Sequence, residues 1–440
     1  MDILSLLACC STLTTSTSLR QLAIIAQAVL TMTGRVTMLG ISRWTENGGS
    51  YRTVNRFFAT PLPWEPMKVK FFEKHLFNPE REYILAGDET VIGKSGSQTF
   101  GVNRFFSGLR GKVMRGLGFL VLSLVDTLER KAYPLLVEQR IKNEVAKKKQ
   151  TTRKKKRQKR QGRPRGSRNR DKREFKPSSE LKQLNEMVQV LLRLLRQFMK
   201  VRYLALDGHF GHQQAVLLAQ QNELELISKL RRDAVLFEKY DGTYSGRGAT
   251  KKYGQRLRFD LMPPRYLQKV EKKADEIINY YSGVFWHKEF ADALKVVVIV
   301  KIDLKKRKLA HAVLFSSDVS LEWEKLIDYY GLRFQIEFNF RDAKQHFGLE
   351  DFMTTTKVGV ENAANLSFMM LLLSAKLLKN KEARLTGIND LKTHYRGAKY
   401  AVLVLKKVLP KPEPILIKRI IEEVGRLGSI YRTESATSSA

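Results

Sequence analysis

The chain is poor in cysteine, in acids relative to bases, and in long apolar runs. Its 440 residues include two cysteines, Cys9 and Cys10. Adjacent in sequence, they can build neither a disulfide framework nor a four-ligand zinc site, so stapled extracellular scaffolds and zinc ribbons are excluded and a reducing compartment is expected. The 44 Asp and Glu are outnumbered by 79 Lys and Arg, which gives a formal charge of +35 and a pI near 10.1. Such an excess calls for a polyanionic partner, either nucleic acid or an acidic membrane surface. No apolar run reaches the roughly 18 residues that a membrane span needs. The longest candidate, Leu366–Leu373, is interrupted by Ser367 and flanked by Glu361 and Lys376. The opening MDILSLLACC carries Asp2 rather than basic residues ahead of a short apolar run, so it is read as neither a signal nor a lipoprotein segment. With no span, the expected polyanion is nucleic acid and the expected location is the cytoplasm, in association with the nucleoid. Apolar residues make up 43% of the chain, enough for a globular core, and the length suits about three domains.

Residues 1–80 read mostly as helix, with an apolar helical run over Leu19–Met32. A short helix over Val36–Glu46, a turn at Asn47–Ser50 and a second helix over Tyr51–Ala59 capped by Ser50 make a helix-turn-helix outline. That outline puts Arg52, Asn55 and Arg56 within reach of base edges or phosphates; an ordinary helical hairpin fits the same loose pattern. Pro61, Pro63 and Pro66 mark a linker. Residues 82–91 read as a buried strand, with Asp88 where the apolar run stops. A charge there is costly unless it is solvated, paired or metal-bound. Gly93–Gly108 reads as a polar loop, and strands over Leu117–Val125 and Lys131–Val137 complete an antiparallel meander.

Lys147–Arg173 holds 16 Lys or Arg against one acid, Asp171, and should be disordered when free. Within it, Gln161–Gly166 is similar to the Gly-Arg-Pro core of an AT-hook, which would lay Arg163 and Arg165 in a minor groove. A nonspecific phosphate-binding run is the alternative. An amphipathic helix over Leu181–Lys200 follows, then a short strand, Tyr203–Leu206, that runs into Asp207-Gly208 as the earlier one ran into Asp88. His209 and His212 form a pair too sparse for a metal site without nearby cysteine. A helix over His212–Gln221 and a strand over Leu224–Ser228 come next. From about Asp233 to Ser320 short β-rich runs dominate and suggest an inserted subdomain, with Trp286 read as a core residue. Leu366–Leu378 is one more apolar helix, and residues 381–440 are basic and partly helical.

The stretch Tyr330–Lys344, YGLRFQIEFNFRDAK, has no glycine after Gly331 and no proline, so one helix is expected to run through it. On that helix Tyr330, Arg333, Glu337 and Lys344 fall within roughly 60° of arc. Leu332, Ile336, Phe340, Ala343 and Phe347 lie on an adjacent, buried arc. A carboxylate flanked by two cations and a phenol is what phosphodiester chemistry needs, although charged helix faces are also common as solvated surface.

The pattern Tyr330-x2-Arg333-x3-Glu337-x6-Lys344 resembles the Y-R-E-K signature of bacterial insertion-sequence transposases of the DDE class. The resemblance covers roughly residues 80–380. It implies an α/β fold, a ribonuclease-H-like catalytic core with a β-rich insertion; outside it, composition and helical pattern add a helical N-terminal DNA-binding domain and a helical C-terminal region. The corresponding divisions are 1–80, then 81–232 with a basic loop at 142–176, 233–320 for the insertion, 321–380 for the last part of the core, and 381–440. The 129 residues between Asp207 and Glu337 leave room for that insertion. The resemblance further implies that Asp88, Asp207 and Glu337 hold two Mg²⁺ or Mn²⁺ ions, that Tyr330, Arg333 and Lys344 grip phosphates of double-stranded DNA, that Trp286 stacks on a flipped base, and that the protein works as a homodimer. A metal-dependent nuclease on the same scaffold and a non-catalytic DNA-binding descendant are the rival readings.

Overall fold

The computed structural model describes residues 2–45, 48–108, 110–142, 171–244, 246, 248–379, 385–408 and 414–425. Most of the basic run, including Arg163 and Arg165, lies outside the described residues, as do Glu46 at the end of the expected first helix and Asn47 of the expected turn.

Five helices open the chain: α1 (Ile3–Leu7), α2 (Ser16–Thr31), α3 (Met38–Trp44), α4 (Tyr51–Ala59) and α5 (Trp64–His75). Side-chain oxygens cap four of them, Asp2, Thr15, Thr37 and Ser50 each accepting from an amide one turn on. The linker expected around three prolines is short. Pro66 sits in the first turn of α5, where a missing amide proton costs nothing because it has no intrahelical partner. These helices share one buried core with the rest of the chain. The Trp64 indole donates to Asn362 Oδ1 and the Lys68 ammonium to Asn365 Oδ1, both at 2.7 Å.

Twelve strands form one sheet: β1 (Tyr83–Gly93), β2 (Asn103–Ser107), β3 (Lys112–Asp126), β4 (Lys131–Arg140), β5 (Tyr203–Leu206), β6 (Glu225–Lys229), β7 (Leu236–Lys239), β8 (Tyr253–Arg256), β9 (Leu267–Lys273), β10 (Glu276–His287), β11 (Leu294–Asp303) and β12 (Lys308–Ser316). Their order is β2-β3-β1-β5-β6-β12-β11-β10-β7-β8, with β4 also on β3 and β9 on β10. The expected meander is there, but the segment read as a loop contains β2, which pairs with the first residues of a β3 longer than expected. Strands β1, β5 and β6 run parallel, and α6 (Ser179–Leu195) and α7 (Gln213–Gln221) lie in the connections. The β-rich stretch does not stand apart as a separate sheet. Its last strand, β12, pairs antiparallel with β6, so insertion and core form one continuous ladder.

The remaining helices are α8 (Trp323–Leu332), α9 (Gln335–His346), α10 (Lys357–Leu378), α11 (Ile388–Val408) and α12 (Pro414–Gly425). The single helix expected through Tyr330–Lys344 is in fact two. After Gly331 the ladder tightens to i→i+3 bonds, Phe334 amide to Gly331 carbonyl and Glu337 amide to Phe334 carbonyl, and the chain turns. Each half then packs its own apolar face, Leu326, Tyr329 and Leu332 for α8, and Ile336, Phe340 and Ala343 for α9. Among the described residues α10 is the one helix long and apolar enough to cross a membrane, and 89% of its apolar window is buried inside the fold.

Candidate active site

Strand alternation decides which way each acid faces. Gly87 turns toward α6, and a Cβ there would lie 2.9 Å from Leu206 Cδ2, 3.0 Å from Leu122 Cδ2 and 3.9 Å from Leu184 Cδ1. Asp88, one residue on, therefore faces the opposite side of the sheet, toward α8 and α9. Glu89 returns to the α6 side, where Arg140 bridges it to Glu180. The parallel pairing of β1 and β5 ends at Gly87 opposite Leu206, so Asp88 and Asp207 each stand one residue beyond the last pair. The Asp207 end is pinned. Its carbonyl accepts from the Ser228 hydroxyl at 2.8 Å, and its carboxylate accepts from the His209 amide at 3.1 Å. Gly211 is required just past it, because a Cβ there would lie 2.2 Å from the Lys229 carbonyl oxygen.

Glu337 reaches the same place from the first turn of α9. The link is Arg333, in the turn between the two helices. Its guanidinium is 2.5 Å from Asp88 Oδ2 and 3.8 Å from Glu337 Oε1. The Asp88 carboxyl is raised to about 6, chiefly by burial; Arg333 and the Glu89 amide oppose the rise, and the Asp207 and Glu337 charges add to it. The charges of Asp207 and Glu337 thus both act on Asp88, although the three residues are far apart in sequence. Tyr330 belongs to it too. Burial raises its phenol, with Asp207 and Asp88 adding to the rise and Arg333 opposing it, so Tyr330 is a neutral hydrogen-bond donor at neutral pH.

The two cations expected to face DNA are turned inward. The Arg333 side chain is only 12% exposed. Lys344 donates to the Val91 carbonyl at 3.1 Å and lies 3.8 Å from Glu350, and burial lowers its pKa. Arg52, Asn55 and Arg56 lie on the exposed face of α4, well apart in the chain from the three acids. Trp286 is half-buried on β10 with the Lys252 ammonium 3.9 Å from its ring centroid. His209 contacts Glu180 at 3.3 Å, and burial lowers His212. Sequence reasoning did not find Arg333 as the partner of Asp88; the only signal was the i, i+4 spacing to Glu337.

Three carboxylates suit a hard divalent cation, which takes oxygen ligands and offsets their repulsion. Among the described residues no three His, Cys, Asp or Glu side chains are close enough to share an ion in the arrangement seen. The positive charge among the acids is supplied by Arg333. The carboxylate oxygens are donors of the kind a hard divalent ion takes, but in the arrangement seen Arg333, not an ion, is the cation paired with Asp88 and Glu337.

A family model described as DDE superfamily endonuclease matches residues 8–283, more than half of the chain. The chain belongs to this family. Membership implies a DNA substrate and nuclease- or transposase-type chemistry, for which DDE enzymes generally use divalent metal ions, and the mixed α/β core is consistent with a ribonuclease-H-like DDE fold. The match takes in Asp88 and Asp207 and stops short of Glu337, whose place rests on the geometry around Arg333. No curated protein matches the chain.

Proposed function

We propose that this DDE endonuclease is an insertion-sequence transposase of the Y-R-E-K kind, which binds the terminal inverted repeats of its element, cuts there and joins the freed end to target DNA. The observation that supports this reading is Arg333 placed between Asp88 and Glu337, with Asp207 just past the end of the parallel strand next to the one that carries Asp88. Asp88, Asp207 and Glu337 would hold two Mg²⁺ or Mn²⁺ ions, which supply charge neutralisation on the phosphate and a more acidic water.

The residues of the chain do the rest. Tyr330 donates its phenol proton to a non-bridging phosphate oxygen, and Lys344 and Arg333 place positive charge beside the same group. Arg333 is released from Asp88 to do so, and its Coulomb partner changes from carboxylate to phosphate. Cutting forms a bond from water oxygen to phosphorus and breaks the P–O3′ bond, the departing oxygen taking up a proton to become a 3′-hydroxyl. Joining forms a bond from that 3′-oxygen to a target phosphorus and breaks the target P–O3′ bond. The exposed α4 residues Arg52, Asn55 and Arg56 contact the repeat, Arg163 and Arg165 its minor groove, and Trp286 an unstacked base. Two copies hold two ends.

The test uses labelled duplexes that carry the DNA flanking the coding sequence, with Mg²⁺ and a supercoiled target. Wild type should give a nick at the repeat boundary and a joined product. Asp207→Asn should keep binding within about threefold and lose cleavage by about 10³-fold or more, about 4 kcal/mol of barrier; persistent cleavage would remove the assignment. The family description, endonuclease, favours a second reading in which cutting occurs without joining. Nicked ends with no joined product would decide for it.

A further inference from the structure

The β2–β3 hairpin extends the sheet past the end of β1. From Lys112 to Arg115, β3 is paired with β2, and its contact with the β1 end is the Lys94 amide donating to the Arg115 carbonyl. One face of the hairpin is packed: Phe105 is buried, with the Lys142 ammonium 4.3 Å from its ring centroid. The other face is open. On it Arg104 stands directly opposite Arg115, and Phe106 directly opposite Val113. Phe106 is 63% and Val113 60% exposed.

Both pairs are unfavourable for a surface that meets only water. Like charges directly opposite on a ladder repel, and an exposed aromatic–aliphatic pair forgoes its burial. Among the described residues no carboxylate pairs with Arg104, Arg110, Lys112 or Arg115. The open face lies on the same side of the sheet as Asp88, because Asp88 stands opposite Val121 on β3 and Arg115 is an even number of residues from it on that strand. Two arginines beside an apolar pair match a duplex, with phosphates for the guanidiniums and sugar faces between them.

We propose that this open face of the β2–β3 hairpin is a duplex-DNA contact surface, with Arg104 and Arg115 on phosphates and Phe106 and Val113 against the intervening sugars. The proposal rests on the reading of the chain as a DNA-cutting enzyme and adds to it a contact on the Asp88 side of the sheet. The occupant is DNA rather than a second copy of the chain, because a self-association face would set these arginines against each other.

The experiment measures binding of the full chain to a fluorescent duplex of about 40 mixed-sequence base pairs across a salt series. For Arg104→Gln/Arg115→Gln the slope of log affinity against log salt should fall by about 2, since each phosphate contact contributes about 0.9. Phe106→Ser should weaken binding about tenfold with the slope unchanged, and both variants should melt with the wild type because the side chains are exposed. As a second measurement, duplex should protect Arg104 and Arg115 of the wild type from phenylglyoxal, read by peptide mapping. Unchanged slope with no protection overturns the proposal and leaves the enzymatic reading intact. Loss of self-association in Phe106→Ser with unchanged DNA binding assigns the face to a second copy and also overturns it. A wild type that binds no duplex removes the enzymatic reading, and this surface with it.

Discussion

At the scale of single residues, the chemistry turns on how Asp88 is neutralised. It is a largely buried carboxylate held by one guanidinium, with two further acids adding repulsion. Removing its charge relieves that repulsion but leaves Arg333, whose Nε already lacks a partner, with only the more distant Glu337 carboxylate. Asp88→Asn should therefore melt within a few degrees of wild type without metal, while losing cleavage by about 10³-fold or more. Arg333→Ala should be less stable, by about 2–4 kcal/mol, because it leaves a buried carboxylate beside two like charges with no cation. Thermal melts in EDTA check both. Asp88 and Asp207 stood out in the sequence because each follows a short apolar run, a place where a charge needs a reason; β1 in fact continues past Asp88 to Gly93, while β5 does stop at Leu206. Their neighbourhood was not legible, since which strands lie side by side is set by long-range pairing that no local pattern records.

At the scale of elements, the turn between α8 and α9 is what presents Arg333 and Glu337 together. The apolar faces of both helices were legible from their period, and all five residues expected to be buried are buried. The interruption was not legible, because Phe334 and Gln335 are acceptable helix residues and the turn arises from packing two faces on different neighbours. Gly331 lies in α8, and a methyl group added to its Cα would meet no atom within 4 Å. Gly331→Ala should therefore stabilise the protein by about 0.5–1 kcal/mol, measured by denaturant titration. The contact of α5 with α10 carries a pH dependence. Lys68 is fully buried, and burial pulls its ammonium down to about 7 from an ordinary 10.5, Glu65 opposing. Between those values the unfolded chain holds a proton that the native chain has shed. This group therefore makes stability rise with pH from about 7 to 10.5, and below 7 the cost of the buried charge is complete. Lys68→Met should gain about 2–4 kcal/mol at about pH 6, with the difference from wild type shrinking toward about pH 10, read from denaturant titrations at each pH.

At the scale of the whole molecule, a net charge of +35 sets how the protein meets DNA. Affinity for any duplex should fall steeply with salt, by at least about 10³-fold between roughly 50 and 200 mM if about six or more phosphates are neutralised. Charge and partner class were legible from composition. The joining of core and insertion through β6 and β12 was not, because a change of texture along the chain looks the same whether the new strands form their own sheet or extend an old one. The central claim is that acids from β1, the end of β5 and α9 make one metal site. Manganese binding to wild type, Asp88→Asn, Asp207→Asn and Glu337→Gln, followed by electron paramagnetic resonance, tests it most directly. Each single substitution should weaken binding by about tenfold or more. Wild-type affinity in any one of the three variants would contradict it.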